Sequence, residues 1–61
     1  MAARILVIDD DEGFRAMLCE ALAGQGHEPL GVGSAEEGLA RAKAETFDLV
    51  ITDVMLPIHR Q

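Results

Sequence analysis

The run Ile5-Leu6-Val7-Ile8 is apolar throughout, mostly β-branched, and stops at Asp9-Asp10-Asp11-Glu12. A strand with one wet face alternates apolar and polar residues. This run does not, so it reads as a strand buried on both faces of a parallel sheet. The pattern recurs near the other end of the chain, where Leu49-Val50-Ile51 within TFDLVITD, residues 46–53, closes on Asp53. Two apolar runs that both end in carboxylates constrain the fold more than any other feature.

The segments between them change period. From Asp11 to Gln25 the spacing is helical, with Phe14, Met17, Leu18, Ala21 and Leu22 on one apolar stripe. Asp10 or Asp11 can accept N–H bonds from the first turn, and Gly24 or Gly26 can end the helix. EPLGVG, residues 28–33, reads as a weak strand, and Pro29, which has no N–H, places it at a sheet edge. Ser34 opens a second helix, with Glu37 three residues on as the partner in a capping box. Ala35, Gly38, Leu39 and Ala42 form its expected inner face, small enough to sit close to a sheet. The order is β-α-β-α-β. The class is α/β with a parallel sheet.

The chain has 61 residues, one domain at most. A chain this short buries only about 60% of its unfolded surface, so self-association is the expected means of completing the core. Eleven acidic against 5 basic residues give a net charge of −6, which argues against nucleic acid and anionic membranes as partners of this segment. Cys19 is the single cysteine, which fits a reducing cytosol. The apolar runs are too short for a signal peptide or a membrane helix, so the expected location is cytoplasmic.

In a doubly wound sheet the first and third strands are parallel neighbours, and ligands bind beyond their carboxyl ends. Asp9, Asp10 and Asp53 would meet there, and no Lys or Arg follows either strand closely enough to neutralise them. Such a cluster is unfavourable without a cation. Hard oxygen ligands beside open water suit Mg²⁺. As helix-capping acids alone, Asp9 and Asp10 would leave Asp53 unexplained, whereas Asp11 reads as a first-turn acid. GVGSAEEG, residues 31–38, resembles a phosphate loop but lacks the required Gly at Glu36 and the Lys-Ser/Thr at Leu39-Ala40. His27 and His59 read as exposed loop residues, Cys19 as lying off the apolar stripe, and Met17 as core filling.

ILVIDDDE, the Pro-bearing edge strand, SAEEGL and DLVITDVMLP together resemble the first half of a receiver domain of two-component response regulators. The likeness covers residues 4–57 and rests on two motifs, the acidic pair after the first strand and D-x-x-x-P after the third. It implies half of a flavodoxin-like doubly wound parallel sheet with strand order 2-1-3, with Asp53 as phospho-acceptor and Asp9 and Asp10 as the acidic pair that places Mg²⁺. It also implies the Met55 backbone carbonyl as a metal ligand and Pro57 as the residue shaping the loop. The implied phosphate source is a histidine kinase or a small phosphodonor, and the chain is a phospho-accepting module rather than an enzyme. Residues 1–61 would then form a truncated receiver, without the later strands whose Ser/Thr and Lys contact the phosphoryl group. Arg60 and Gln61 stand where the family usually has Asp or Asn followed by Gly.

Two other readings compete. A half-domain with a vestigial site would serve assembly, most simply as a dimer. An aspartate-nucleophile phosphatase would need an acid at Met55.

Overall fold

The computed structural model describes residues 2–52. Five elements follow in the expected order: β1 (Arg4–Ile8), α1 (Glu12–Gly24), β2 (Glu28–Val32), α2 (Ala35–Ala44) and β3 (Leu49–Thr52). The sheet is ordered β2-β1-β3, with β1 parallel to both neighbours. Pro29 therefore does lie on an edge strand. The register pairs Ile8 with Val32 on one side and with Thr52 on the other. Ile5, Leu6 and Val7 are buried, so the uninterrupted apolar run marks the central strand.

Both helix starts are capped. The Asp11 carboxylate accepts the Phe14 N–H at 3.1 Å, which makes Asp11 the N-cap of α1. Ser34 Oγ accepts the Glu37 N–H at 3.1 Å, while Glu37 Oε1 reaches back to the Gly33 N–H at 3.0 Å. The return bond lands one residue before the cap, a shifted version of the reciprocal box. At its other end α1 closes with paired bonds, Gly26 N–H to Ala23 O and His27 N–H to Leu22 O, and Gly26 takes φ +92°. This is a Schellman closure, and its left-handed residue is the second of the two glycines that could end the helix.

The helix faces differ from their expected rotation. On α1 the less exposed residues are Arg15, Leu18, Cys19 and Leu22. The expected stripe shares only Leu18 and Leu22 with that face. Phe14 is partly exposed and Met17 is 59% exposed, so Met17 is not core filling. The helix has rolled toward β2 because Gly31 offers no side chain. A Cβ there would lie 3.1 Å from Cys19 Sγ and 3.0 Å from Arg15 Cγ. Cys19 thus faces β2. On α2 only Gly38 is buried; Ala35 and Ala42 are exposed and Leu39 is 58% exposed. That helix meets the sheet through its backbone at Gly38, over Ile8 and Val32.

The entry end of the sheet is tied by polar groups. Arg4 Nη2 donates to Glu45 Oε1 at 2.7 Å, its Nη1 donates to the Thr46 carbonyl at 3.1 Å, and its guanidinium stacks 4.9 Å from the Phe47 ring centroid. The hydrogen bond from Arg4 holds the Glu45 carboxyl below the usual carboxylate range, and the same bond raises Arg4. The Arg4 N–H donates to Asp48 Oδ2 at 2.8 Å. His27 is only partly exposed, and its Nδ1 accepts the Ala3 N–H at 3.1 Å. It belongs to the sheet's entry edge rather than to a free loop.

Candidate functional site

The candidate site lies beyond the carboxyl ends of β1 and β3. Asp9 follows β1 directly and is only 3% exposed. Its N–H continues the ladder to the Val32 carbonyl at 3.1 Å. Its Oδ1 accepts the Asp11 N–H at 2.9 Å, an Asx-type turn that bends the chain from strand into helix. Asp10, at the apex of that bend, is exposed. The two adjacent acids therefore differ in kind. One is buried and already hydrogen-bonded; the other is open to solvent.

Asp53, Met55, Pro57 and His59 lie outside the described residues. Among the described residues no group of three or more His, Cys, Asp or Glu side chains gathers to hold a metal. The pair Asp9 and Asp10 is what the described part contributes. Arg15, six residues along the chain, places Nη1 2.7 Å from the Asp9 carbonyl. The expectation is that no Lys or Arg stands close enough to neutralise these acids. A cation does arrive, but it engages the backbone oxygen, and no ion pair to Asp9 or Asp10 forms among the described residues. The first turn of α1 brings Arg15 there, and Gly31 in β2 and Gly33 just after it leave room for it.

Below the acidic turn, on the α1 face of the sheet, lies an open hollow of about 360 Å³. Asp9 and Asp11 stand at its rim, and Phe14, Leu18, Val7 and Ile51 line its apolar wall. It is where α1, having rolled toward β2, leaves β3 uncovered.

A parallel 2-1-3 sheet with an acidic turn after its central strand defines a receiver-type α/β unit, and comparison with known proteins agrees. The family model of the response regulator receiver domain matches residues 5–59, and the chain belongs to that family. It is 44% identical over 57 residues to the response regulator protein FleR of Pseudomonas aeruginosa, covering 93% of this chain and 12% of that protein. To the alkaline phosphatase synthesis transcriptional regulatory protein PhoP of Bacillus subtilis it is 39% identical, covering 93% of this chain and 24% of the relative. To the DNA-binding transcriptional regulator NtrC of Azospirillum brasilense it is 45% identical, covering 92% and 12%. The chain thus spans a quarter or less of the length of these relatives.

The donor set fits a hard divalent cation. Asp9 is a buried carboxylate with a single backbone N–H bond to one of its oxygens and no ion pair among the described residues. Asp10 offers exposed oxygens beside it. Such hard, partly hydrated oxygen ligands are what Mg²⁺ takes. No helix among the described residues is long and apolar enough to cross a membrane.

Proposed function

We propose that the chain is a phospho-accepting receiver module in which Asp53 takes a phosphoryl group while Asp10, Asp53 and the Met55 carbonyl hold Mg²⁺. The observation that carries this reading is the parallel pairing of Ile8 with Thr52. It ends β1 and β3 side by side, with Asp9 and Asp10 following one strand and Asp53 joined directly to the last residue of the other. The exposed Asp10 would hold the ion, and Asp9, held by the Asp11 N–H, would assist through water. When bound, Mg²⁺ offsets the repulsion between an attacking carboxylate and a phosphoryl donor. An Asp53 oxygen would bond to the donor's phosphorus as the bond from phosphorus to the donor's leaving group breaks, and the leaving group departs with the electron pair. The donor is a histidine kinase phosphate or a small acyl phosphate. With a net charge of −6, this segment is not the part of a regulator that contacts nucleic acid.

The site is tested by thermal melts with and without Mg²⁺. Ligand at ten times its dissociation constant stabilises a fold by about 1.4 kcal/mol. In a domain of this size each kcal/mol moves Tm by about 4–8 °C. The wild type should therefore melt several degrees higher in Mg²⁺, and Asp10→Asn and Asp53→Asn should each shrink the shift. Equal shifts in all three proteins would remove the metal from this site.

A second reading concerns assembly and is favoured by β3. Leu49 and Val50, on opposite faces of the strand, are 51% and 48% exposed, and no strand pairs with the outer edge of β3 among the described residues. Such an edge is a template for another strand. We propose a dimer in which β3 pairs with its copy across a two-fold axis. Light scattering after size exclusion should give twice the chain mass, and Val50→Lys should abolish it. A folded monomer at micromolar concentration refutes the dimer.

A further inference from the structure

We propose that Arg15 is a positioning residue for the acidic turn, threaded through a slot that Gly31 and Gly33 leave open in β2 and its exit. The inference rests on reading that turn as a Mg²⁺ site. A Cβ at Gly31 would lie 3.0 Å from Arg15 Cγ and 3.1 Å from its Cδ, and one at Gly33 would lie 3.3 Å from Nη1. The two glycines therefore form the walls along which the stem runs. At the end of that path Nη1 donates to the Asp9 carbonyl at 2.7 Å. Glu37 holds the Gly33 N–H at 3.0 Å, which fixes the far wall.

Among the described residues three bonds hold Asp9: its N–H donates to the Val32 carbonyl, its Oδ1 accepts the Asp11 N–H and its carbonyl accepts Arg15 Nη1. The first belongs to the sheet and the second to the turn itself. Of these three, the last alone ties Asp9 itself to a side chain of α1, and it holds the peptide plane between Asp9 and Asp10. The direction in which Asp10 leaves the sheet follows from that plane.

Charge and position act in opposite senses here, which makes the role testable. A guanidinium near a cation site weakens Mg²⁺ binding by repulsion, so its removal by charge alone would tighten binding. A group that orients a ligand does the reverse, and loss of such an outer contact weakens metal binding about 10–100-fold. Arg15→Met keeps the stem and removes the donor. In the full 61-residue chain, Mg²⁺ titration followed by amide NMR should show binding weakened about tenfold or more. The Asp11 amide, which reports the Asp9 carboxylate, should shift and lose exchange protection without metal. Arg15→Lys should recover part of both. Gly31→Ala leaves the guanidinium intact but crowds its stem, and it should weaken binding in the same direction. That variant decides the matter if Arg15→Met fails to fold. Unchanged or tighter Mg²⁺ binding with an unmoved Asp11 amide overturns the proposal. If the wild type binds no Mg²⁺, the metal reading fails, and the Asp11 amide alone then decides the role of Arg15.

Discussion

Incubated with acetyl phosphate and Mg²⁺, the wild-type chain should gain one phosphoryl group on Asp53, and Asp53→Asn should gain none. The reaction forms a bond between an Asp53 oxygen and phosphorus and breaks the bond from phosphorus to the acetate oxygen, so acetate leaves with the electron pair. An amide at the same position is neither charged nor nucleophilic, so the loss should be complete. Asp10→Asn keeps the nucleophile but removes a metal-holding charge. Loss of one electrostatic contact at a transition state of this kind typically costs about 10²–10³ in rate, so labelling should slow by about that factor without stopping. Chelation of Mg²⁺ should have an effect at least as large. Intact mass, with peptide mapping after borohydride trapping of the acyl phosphate, gives both the amount and the position. Equal labelling of wild type and Asp53→Asn would refute the phospho-acceptor.

The other large effect is expected at Gly38. A Cβ on this residue would approach Ile8 Cγ1 to 2.8 Å and Ile8 Cδ1 more closely still, while Val32 Cγ2 would stand at 3.7 Å. Alanine improves helix propensity by about 1 kcal/mol. Overpacking of a closed contact costs about 1–3 kcal/mol, and it should win because β-branched Ile8 is stiff at χ1. Stability of about 0.05–0.15 kcal/mol per residue leaves little to spare in so short a chain. Gly38→Ala should lower Tm by several degrees, and Gly38→Val should unfold the chain at ambient temperature. Ile8→Val removes the clashing Cδ1, so Gly38→Ala should be better tolerated in that background, with a coupling of about 0.5–3 kcal/mol. A higher Tm for Gly38→Ala alone would show that α2 does not approach β1 this closely.

Periodicity located the elements well and their rotation poorly. The change from the ILVI run to a helical spacing, and the helix caps at Asp11 and Ser34, are local, so strands and helices were legible, while the order of the sheet came with the family resemblance. Hydrophobicity alone put Phe14 and Met17 on the inner face of α1. What fixes the roll of α1 is the missing side chain of Gly31, which draws Arg15 and Cys19 inward. That is a contact between residues 16 apart for Arg15, and no window along the chain contains its geometry. Leu39 failed for a similar reason: with Gly38 touching the sheet through its backbone, the adjacent side chain is carried outward. At the site, the acidic pair was legible because its residue types are costly to place together. Arg15 was not, since a guanidinium bonding a carbonyl leaves no charge pattern to read. The polar ties of His27 and Asp48 were equally hidden, because each serves a backbone N–H far away in sequence.

Those ties bear on a weakness of the central strand. A strand that is apolar on both faces loses little if it slides along its neighbours, because every position offers a similar side chain. Within Ile5-Leu6-Val7-Ile8 the position-specific fit is that of Ile8 under Gly38, and the polar ties at the entry end add to it. Sliding β1 against its neighbours would pull Arg4 away from Glu45 and the Thr46 carbonyl, its N–H away from Asp48, and the Ala3 N–H away from His27. Each tie is weak in energy, as exposed ion pairs are, but together they are satisfied at one alignment. The height at which Asp9 emerges beside Val32 is therefore determined in part at Arg4, at the opposite end of the strand.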